Sequence, residues 1–339
     1  MIKEYNSVSC IEKEWKALCK QGNTNYCQSY LWTKYTETFI SSNIFKRLYF
    51  GSIKYFCAFD SNFCSLILPV QIKGRIAHLL GWKTPNDYEG ILCYTNIRGR
   101  VLNEMLEYIS SRYGVKIFDL GFITPKQNSF TSLLDSISDS NWIIKKSESY
   151  NVMRPYFYAS FEDYFKTLSK STRQNYRTAL NRLNKDEKNY SFEFFEDIIP
   201  EEEIKNFLSD HKKRLENRYL RGRSVLIEKI LQPARYLIYG NYRRDGVVAL
   251  SMYNGNRQIL GIMKIDGKNA AYYYGLPSEN NGNNRINFFR VCVNDEEFGF
   301  YSPGMVLGIE LIKKYQNRFS IYDFTKGNEP YKYKMGCQN

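Results

Sequence analysis

Four side chains able to move or steady a proton fall close together near the end of the chain. They are Asp323, Glu329, Tyr331 and Lys332, within Tyr322-Asp323-Phe324-Thr325-Lys326-Gly327-Asn328-Glu329-Pro330-Tyr331-Lys332. Two carboxylates, a phenol and an ammonium directly after an apolar, strand-like run suit general acid and base work. The same run also reads as a plain turn in which Asp323 caps the backbone at Gly327. Upstream, Tyr301-Ser302-Pro303-Gly304-Met305 opens an apolar helical pattern. Ser302 is expected as N-cap, and Pro303 at the first turn sacrifices no hydrogen bond. Gly304 has no side chain to keep a ligand from the backbone. Unsatisfied N–H groups at the positive end of a helix bind anions. An ordinary capped helix has the same residues.

A third constellation is basic. Lys166, Lys170, Arg173 and Arg177 recur at i, i+4, i+7 and i+11, with no acidic residue from Tyr164 through Lys185. One helix from about 160 to 184 would carry all four on one face, beside an apolar face containing Phe165, Leu168, Tyr176, Ala179 and Leu183. This is either a solvated basic face or a seat for a phosphate-bearing ligand. In the second case the planar forks of Arg173 and Arg177 suit phosphate better than lysine does. A second cluster, Lys212, Lys213, Arg214, Arg218, Arg221 and Arg223, contains only Glu216 as counter-charge.

Other chemistries are poorly provided for. The two histidines are His78 and His211, which argues against a histidine triad or a histidine-rich metal site. Eight cysteines include no C-x-x-C pair, so reduced core thiols are expected and zinc is not.

The elements that must position these groups read as a repeated unit. Gly99-Arg100-Val101-Leu102 precedes a helical stretch and then Val115-Lys116-Ile117-Phe118-Asp119. Gly304-Met305-Val306-Leu307 precedes another and then Phe319-Ser320-Ile321-Tyr322-Asp323. Glycine to aspartate spans 20 positions in the first and 19 in the second. The first copy has Asn96-Ile97-Arg98 where the second has the proline corner, so only the second is expected to bind an anion. Helices are predicted over 8–20, 28–40 and 200–218, and strands near 46–58, 62–72, 75–81, 190–194, 236–241, 246–253, 257–264 and 269–275. Such an order means α/β or α+β, with largely antiparallel sheets because the connections are short.

The chain has 339 residues, 43% hydrophobic and 16% aromatic, enough for two cores, divided here as 1–150 and 151–339. The net charge of +13 favours an anionic partner: nucleic acid, a phosphorylated cofactor or acidic lipid. No apolar run is long enough to span a bilayer and Met1–Tyr5 has no apolar leader. A cytoplasmic location, peripheral to the inner membrane at most, is the expectation.

The stretch from Tyr301 to Lys332, with Ser302-Pro303-Gly304, Tyr322-Asp323-Phe324, Gly327, Glu329 and Tyr331-Lys332, resembles CelD-type acyltransferases of the GNAT superfamily, related to the FemAB group. Ser171-Thr172-Arg173 through Arg177 resembles that family's central helix. Gln28-Ser29-Tyr30-Leu31-Trp32 and Asp87-Tyr88 resemble its N-terminal half. The family usually adds another strand beyond the position where this chain stops at Asn339.

The resemblance implies tandem GNAT-like domains, each a mixed, largely antiparallel sheet flanked by helices. The first would be degenerate and bind the acceptor. The second would bind acetyl-CoA or another acyl-CoA at Tyr301, Ser302, Pro303, Gly304 and Met305. The acceptor would be an amine, on an amino sugar or nucleotide sugar of surface-polysaccharide assembly, contacted by Arg173, Tyr176, Arg177, Asp87, Tyr88 and Trp32. Lys332 would stabilise the transition state. Asp323 or Glu329 would take the proton, and Tyr331 or Tyr301 would protonate the thiolate. Neither a metal nor a stable nucleic-acid partner is implied. The alternatives are a FemAB-like transferase using aminoacyl-tRNA on a cell-wall precursor and a non-enzymatic basic module for nucleic acid or membrane.

Overall fold

The computed structural model describes residues 1–21, 26–82, 91–93, 100–120, 142–143, 160–220, 233, 237–238, 257–280, 283–325 and 329–336. The chain divides into two compact units, 1–150 with 235–243 and 151–234 with 244–339.

In the first unit β1 (Ile2–Tyr5) is followed by α1 (Glu12–Gln21), α2 (Tyr30–Ser41) and α3 (Ile44–Phe50). Then come β2 (Ser52–Asp60), β3 (Phe63–Lys73), β4 (Ile76–Leu79), β5 (Leu92–Cys93), α4 (Arg100–Tyr113) and β6 (Ile117–Asp119). The sheet order is β1-β2-β3-β4-β6, with the short β5 also on β3. The first four strands pair antiparallel; β6, returning after α4, pairs parallel to β4. One face packs on α4 through Leu102, Met105, Leu106 and Ile109. The other packs through Trp15, Leu18, Phe39, Ile40 and Phe50 of the three helices inserted between β1 and β2.

The second unit repeats this plan. After α5 (Phe161–Thr167) and α6 (Lys170–Lys185) come β7 (Tyr190–Glu196), α7 (Glu201–Leu220), β8 (Ile259–Ile265), β9 (Lys268–Asn280) and β10 (Asn283–Val293). The short α8 (Asp295–Phe298), then α9 (Pro303–Tyr315), β11 (Ile321–Asp323) and α10 (Pro330–Lys334) complete it. The order is β11-β10-β9-β8-β7, antiparallel except for the parallel β10–β11 pair. Successive side chains alternate between sheet faces. Tyr273, Ile286, Phe288, Tyr322 and Phe324 therefore meet α6 and α9, in a core completed by Tyr176, Ala179, Leu183, Val306, Ile309 and Ile312. Tyr272 and Tyr274 face the other way, with ring centroids 5.4 and 5.8 Å from Phe207 of α7. The β8–β9 hairpin turns through Asp266-Gly267, both at positive φ (50° and 75°), as a tight two-residue turn requires.

Four expectations from sequence are corrected. Residues 46–50 are helical, not strand: the Asn43 side chain accepts the Lys46 N–H at 2.8 Å, and Gly51 ends the helix at φ 91°. A Cβ on Gly51 would stand 2.4 Å from the Ile72 carbonyl oxygen, so the turn needs glycine. The basic segment is two helices, because Leu168 is extended and Ser169 caps α6 by accepting the Thr172 N–H at 3.0 Å. β10 was not among the strands expected from the sequence. Leu237 and Ile238 are helical where a strand was expected, and the strand expected over 246–253 lies outside the described residues. Among the described residues no helix is long and apolar enough to cross a membrane, and no group of three metal-ligating side chains is found.

Candidate active site

β10 and β11 define the site's floor. They pair over three positions only, Arg285 with Ile321, Ile286 with Tyr322 and Asn287 with Asp323. β11 then ends, while β10 runs on to Val293, where α9 begins to pack. At about 3.3 Å per residue the β10 edge from Asn287 to Val293 extends roughly 20 Å without a strand partner among the described residues. Arg214 of α7 reaches this edge and donates to the Val291 carbonyl at 2.8 Å. A bulge between Phe288 and Arg290 bends the strand there.

Asp323 stands at the inner end. It is fully buried, its Oδ1 accepts the Thr325 N–H at 2.8 Å, and Arg285 Nη1 lies 3.7 Å from Oδ2. Its β10 partner Asn287 is also fully buried and donates to the Leu276 carbonyl at 3.3 Å. Lys332 closes this end. Its Nζ is buried, donates to the Thr325 carbonyl at 3.0 Å and pairs with Glu329 at 3.0 Å. Glu329 is half exposed, and Tyr331 is at the surface with its ring 6.4 Å from Phe324. Asp323, Glu329, Tyr331 and Lys332 are thus gathered around the end of β11. Gly327, within the motif, lies outside the described residues.

The corner at the outer end differs from the sequence expectation. Ser302 is at the N-cap position but left-handed, at φ 48° and ψ 48°, and its side chain makes no capping bond. The Ser302 N–H donates to Gly299 at 3.0 Å, and the Met305 and Val306 N–H groups both donate to the Ser302 carbonyl at 3.1 Å. Pro303 has no N–H. Of this turn, only the Gly304 amide is left for a ligand. A Cβ on Gly304 would stand 2.7 Å from Val293 Cγ2, so this glycine serves the packing of α9 on β10. The Tyr301 hydroxyl donates to Asp186 at 2.9 Å, and that bond holds its pKa above the ordinary value. Arg182 donates to the Phe300 carbonyl at 3.0 Å, fixing the turn to the end of α6.

The basic helix is not part of this floor. Tyr176 lies in the core on the face opposite Asp323, and its hydroxyl donates to Glu310 of α9. Burial first, and Glu310 second, push its pKa up. Arg173 donates to the Lys166 carbonyl, and Arg177 is exposed with its guanidinium 5.8 Å from the Phe165 ring. Trp32 is buried in the first unit and its backbone N–H is held by Ser29 at 3.2 Å. Asp87 and Tyr88 lie outside the described residues. Arg285 and Asn287 were missed, and Arg214 was read only as one member of a basic cluster; recognising β10 would have revealed the first two, since its register fixes them beside β11.

Two mixed sheets of one topology, each with four antiparallel strands, a helix and a parallel returning strand, are a tandem GNAT fold. Solved structures share it over nearly the whole chain. A conserved protein of unknown function from Bacteroides thetaiotaomicron VPI-5482 is 14% identical with a TM-score of 0.57, covering 100% of this chain and 97% of that one. FemX is 12% identical with a TM-score of 0.54, covering 99% and 94%. A tandem GNAT protein from the clavulanic acid biosynthesis pathway is 9% identical with a TM-score of 0.50, covering 100% and 95%. At these identities the likeness is one of fold. No protein-family model matches the sequence, and no curated protein does.

Proposed function

We propose that this chain is an N-acyltransferase that moves an acyl group, acetyl in the simplest case, from coenzyme A to an amine. The observation that carries the reading is the parting of β11 from β10. It leaves the rest of that β10 edge without a strand partner among the described residues, running from a buried carboxylate to a helix start, which suits an extended donor bearing amides along its arm and a diphosphate at its end. The tandem GNAT fold and the resemblance around Tyr301–Lys332 support it. The CelD-type resemblance adds the acceptor class, an amino sugar of surface polysaccharide.

In this reading the neutral amine attacks the thioester carbonyl, so a C–N bond forms and the C–S bond breaks. Glu329, the exposed carboxylate of the group, takes the amine proton directly or through water. Tyr331 gives a proton to the departing thiolate and regains one from solvent. Asp323 and Lys332, both buried and both bonded to Thr325, act as positioning residues. The diphosphate grip falls to the Gly304 amide and the α9 dipole.

That grip is narrower than a run of open amides, and this observation, with the +13 charge, favours a second reading in which the donor is an aminoacyl-tRNA. Thermal unfolding separates the two. At 100 times its Kd a donor adds about 2.7 kcal/mol. Acetyl-CoA raises Tm if the first reading holds, and Ser302→Glu, which brings a negative charge to the corner without losing a capping bond, removes the shift. A rise only with charged tRNA establishes the second reading. A rise with neither, together with salt-sensitive binding of any oligonucleotide, leaves a binding module.

A further inference from the structure

We propose that α3 is a docking surface for an anionic phospholipid bilayer. Its sequence, Ile44-Phe45-Lys46-Arg47-Leu48-Tyr49-Phe50, buries only Phe50 completely, against Phe39. Ile44, Phe45 and Leu48 point outward, 59%, 58% and 69% exposed. Positions i, i+1 and i+4 adjoin on a helix, so the three side chains form one patch. Other exposed apolar side chains, such as Phe63, Ile117, Ile198 and Phe300, come singly. Single exposed apolar residues need no explanation, but three on one short helix mark an interaction surface.

Charge chooses the occupant. No Asp or Glu occurs between Glu37 and Asp60. Lys46 and Arg47 lie on α3 itself, and Lys73 donates to the Tyr49 carbonyl at its C-terminal end at 2.9 Å. Lys46 Nζ donates to Ser42 and Arg47 to the Ser41 carbonyl, so both are held to the helix start, and among the described residues neither pairs with a carboxylate. Apolar side chains in the middle of cations are what an interfacial helix presents to acyl chains and acidic headgroups. A protein partner of ordinary composition does not require that uniform sign. The inference rests on α3 alone, so it stands or falls apart from the acyl donor.

The test is sedimentation of the full chain with vesicles of phosphatidylcholine, with and without phosphatidylglycerol. Binding is expected only where phosphatidylglycerol is present. The Ile44→Ser, Phe45→Ser, Leu48→Ser triple variant should partition about tenfold more weakly. Lys46→Glu with Arg47→Glu should weaken binding by about fivefold or more for each charge. The Tm of the triple variant should match the parent because the patch supports nothing inside. Equal sedimentation of parent and triple variant overturns the proposal, as does equal binding to both vesicle types. A fall of several degrees in Tm would show that the patch is covered within the folded chain. A dimer that the triple variant dissociates would show that a second copy covers it. Either result also overturns the proposal.

Discussion

In the first unit α4 and β6 deliver Asp119 opposite His78 on β4; in the second, α9 and β11 deliver Asp323 opposite Asn287 on β10. The backbone station is the same, and the surroundings are not. Asp119 is 48% exposed, lies 3.0 Å from His78 Nδ1, and the imidazole stacks 3.7 Å from Trp82. Asp323 has no exposure, and the chain beyond it returns as α10 to insert Lys332 against the Thr325 carbonyl. Topology sets where an acidic group arrives. What covers it decides whether that group is a solvated partner for a ring or part of a buried polar set able to hold geometry for a reaction.

Removing the cover should give the largest effect. Lys332→Met keeps the volume but leaves a buried carbonyl without its donor, at a cost of about 3 kcal/mol. Urea unfolding should show the loss in the second unit's transition only; a change under 1 kcal/mol would mean that the ammonium contributes nothing to closure. Next comes the acid itself. Asp323→Asn removes charge from a buried set and should cost about 2 kcal/mol, whereas Asp119→Asn, at a half-exposed pair, should cost less than 1 kcal/mol. Equal costs would erase the distinction between the two stations.

Much of this pairing was legible in the sequence, and the part that was not has a physical cause. The glycine, helix, aromatic-Asp pattern located both returning strands because periodicity and spacing are local. β10 escaped although Ile286, Phe288, Val291 and Val293 favour a strand, because it opens on Asn283 and Asn284, a residue type depleted in strands, which pair with Asn280 and Glu279 across a hairpin. Without β10, Arg285 and Asn287 had no address. The basic helix was misread because a capping serine, Ser169, can begin a helix inside a continuous helical pattern. The amides at the proline corner looked open because residue types show who can donate but not which carbonyl stands opposite. Ser302, twisted left-handed, presents its own carbonyl to two of them.

That corner gives a third, smaller effect. Gly304→Ala pushes a methyl against Val293 and should cost about 1–2 kcal/mol even without ligand. Gly304→Glu would confuse packing with binding in the same way, and Ser302→Glu is the cleaner probe of the donor site. An unchanged Tm for Gly304→Ala would mean that α9 shifts freely on β10.

The smallest effect compares the sheets' far edges, where each has a cross-strand ion pair. Lys54 of β2 meets Glu4 of β1 at 2.8 Å, and Lys264 of β8 meets Glu193 of β7 at 2.9 Å. Burial pushes the Glu4 carboxyl up, but hydrogen bonds from Lys54 and Tyr113 outweigh it and hold the pKa below its ordinary 4.5. Its contribution is therefore complete above that value and is lost as pH falls through the lowered one. Lys264 is held above its ordinary 10.5, first by Glu193 and against burial, so its contribution is complete below that pH and is lost as the solution becomes more alkaline than the raised value. Glu4 is 14% exposed and Glu193 35% exposed. Glu4→Gln should thus cost about 1 kcal/mol at neutral pH and Glu193→Gln a few tenths. Denaturation of both variants from pH 7 down to pH 3 reads the difference. Glu4→Gln should flatten the acid limb of the first unit, because the group whose protonation weakens that unit is gone. An acid limb unchanged by this substitution would mean that protonation elsewhere unfolds the sheet.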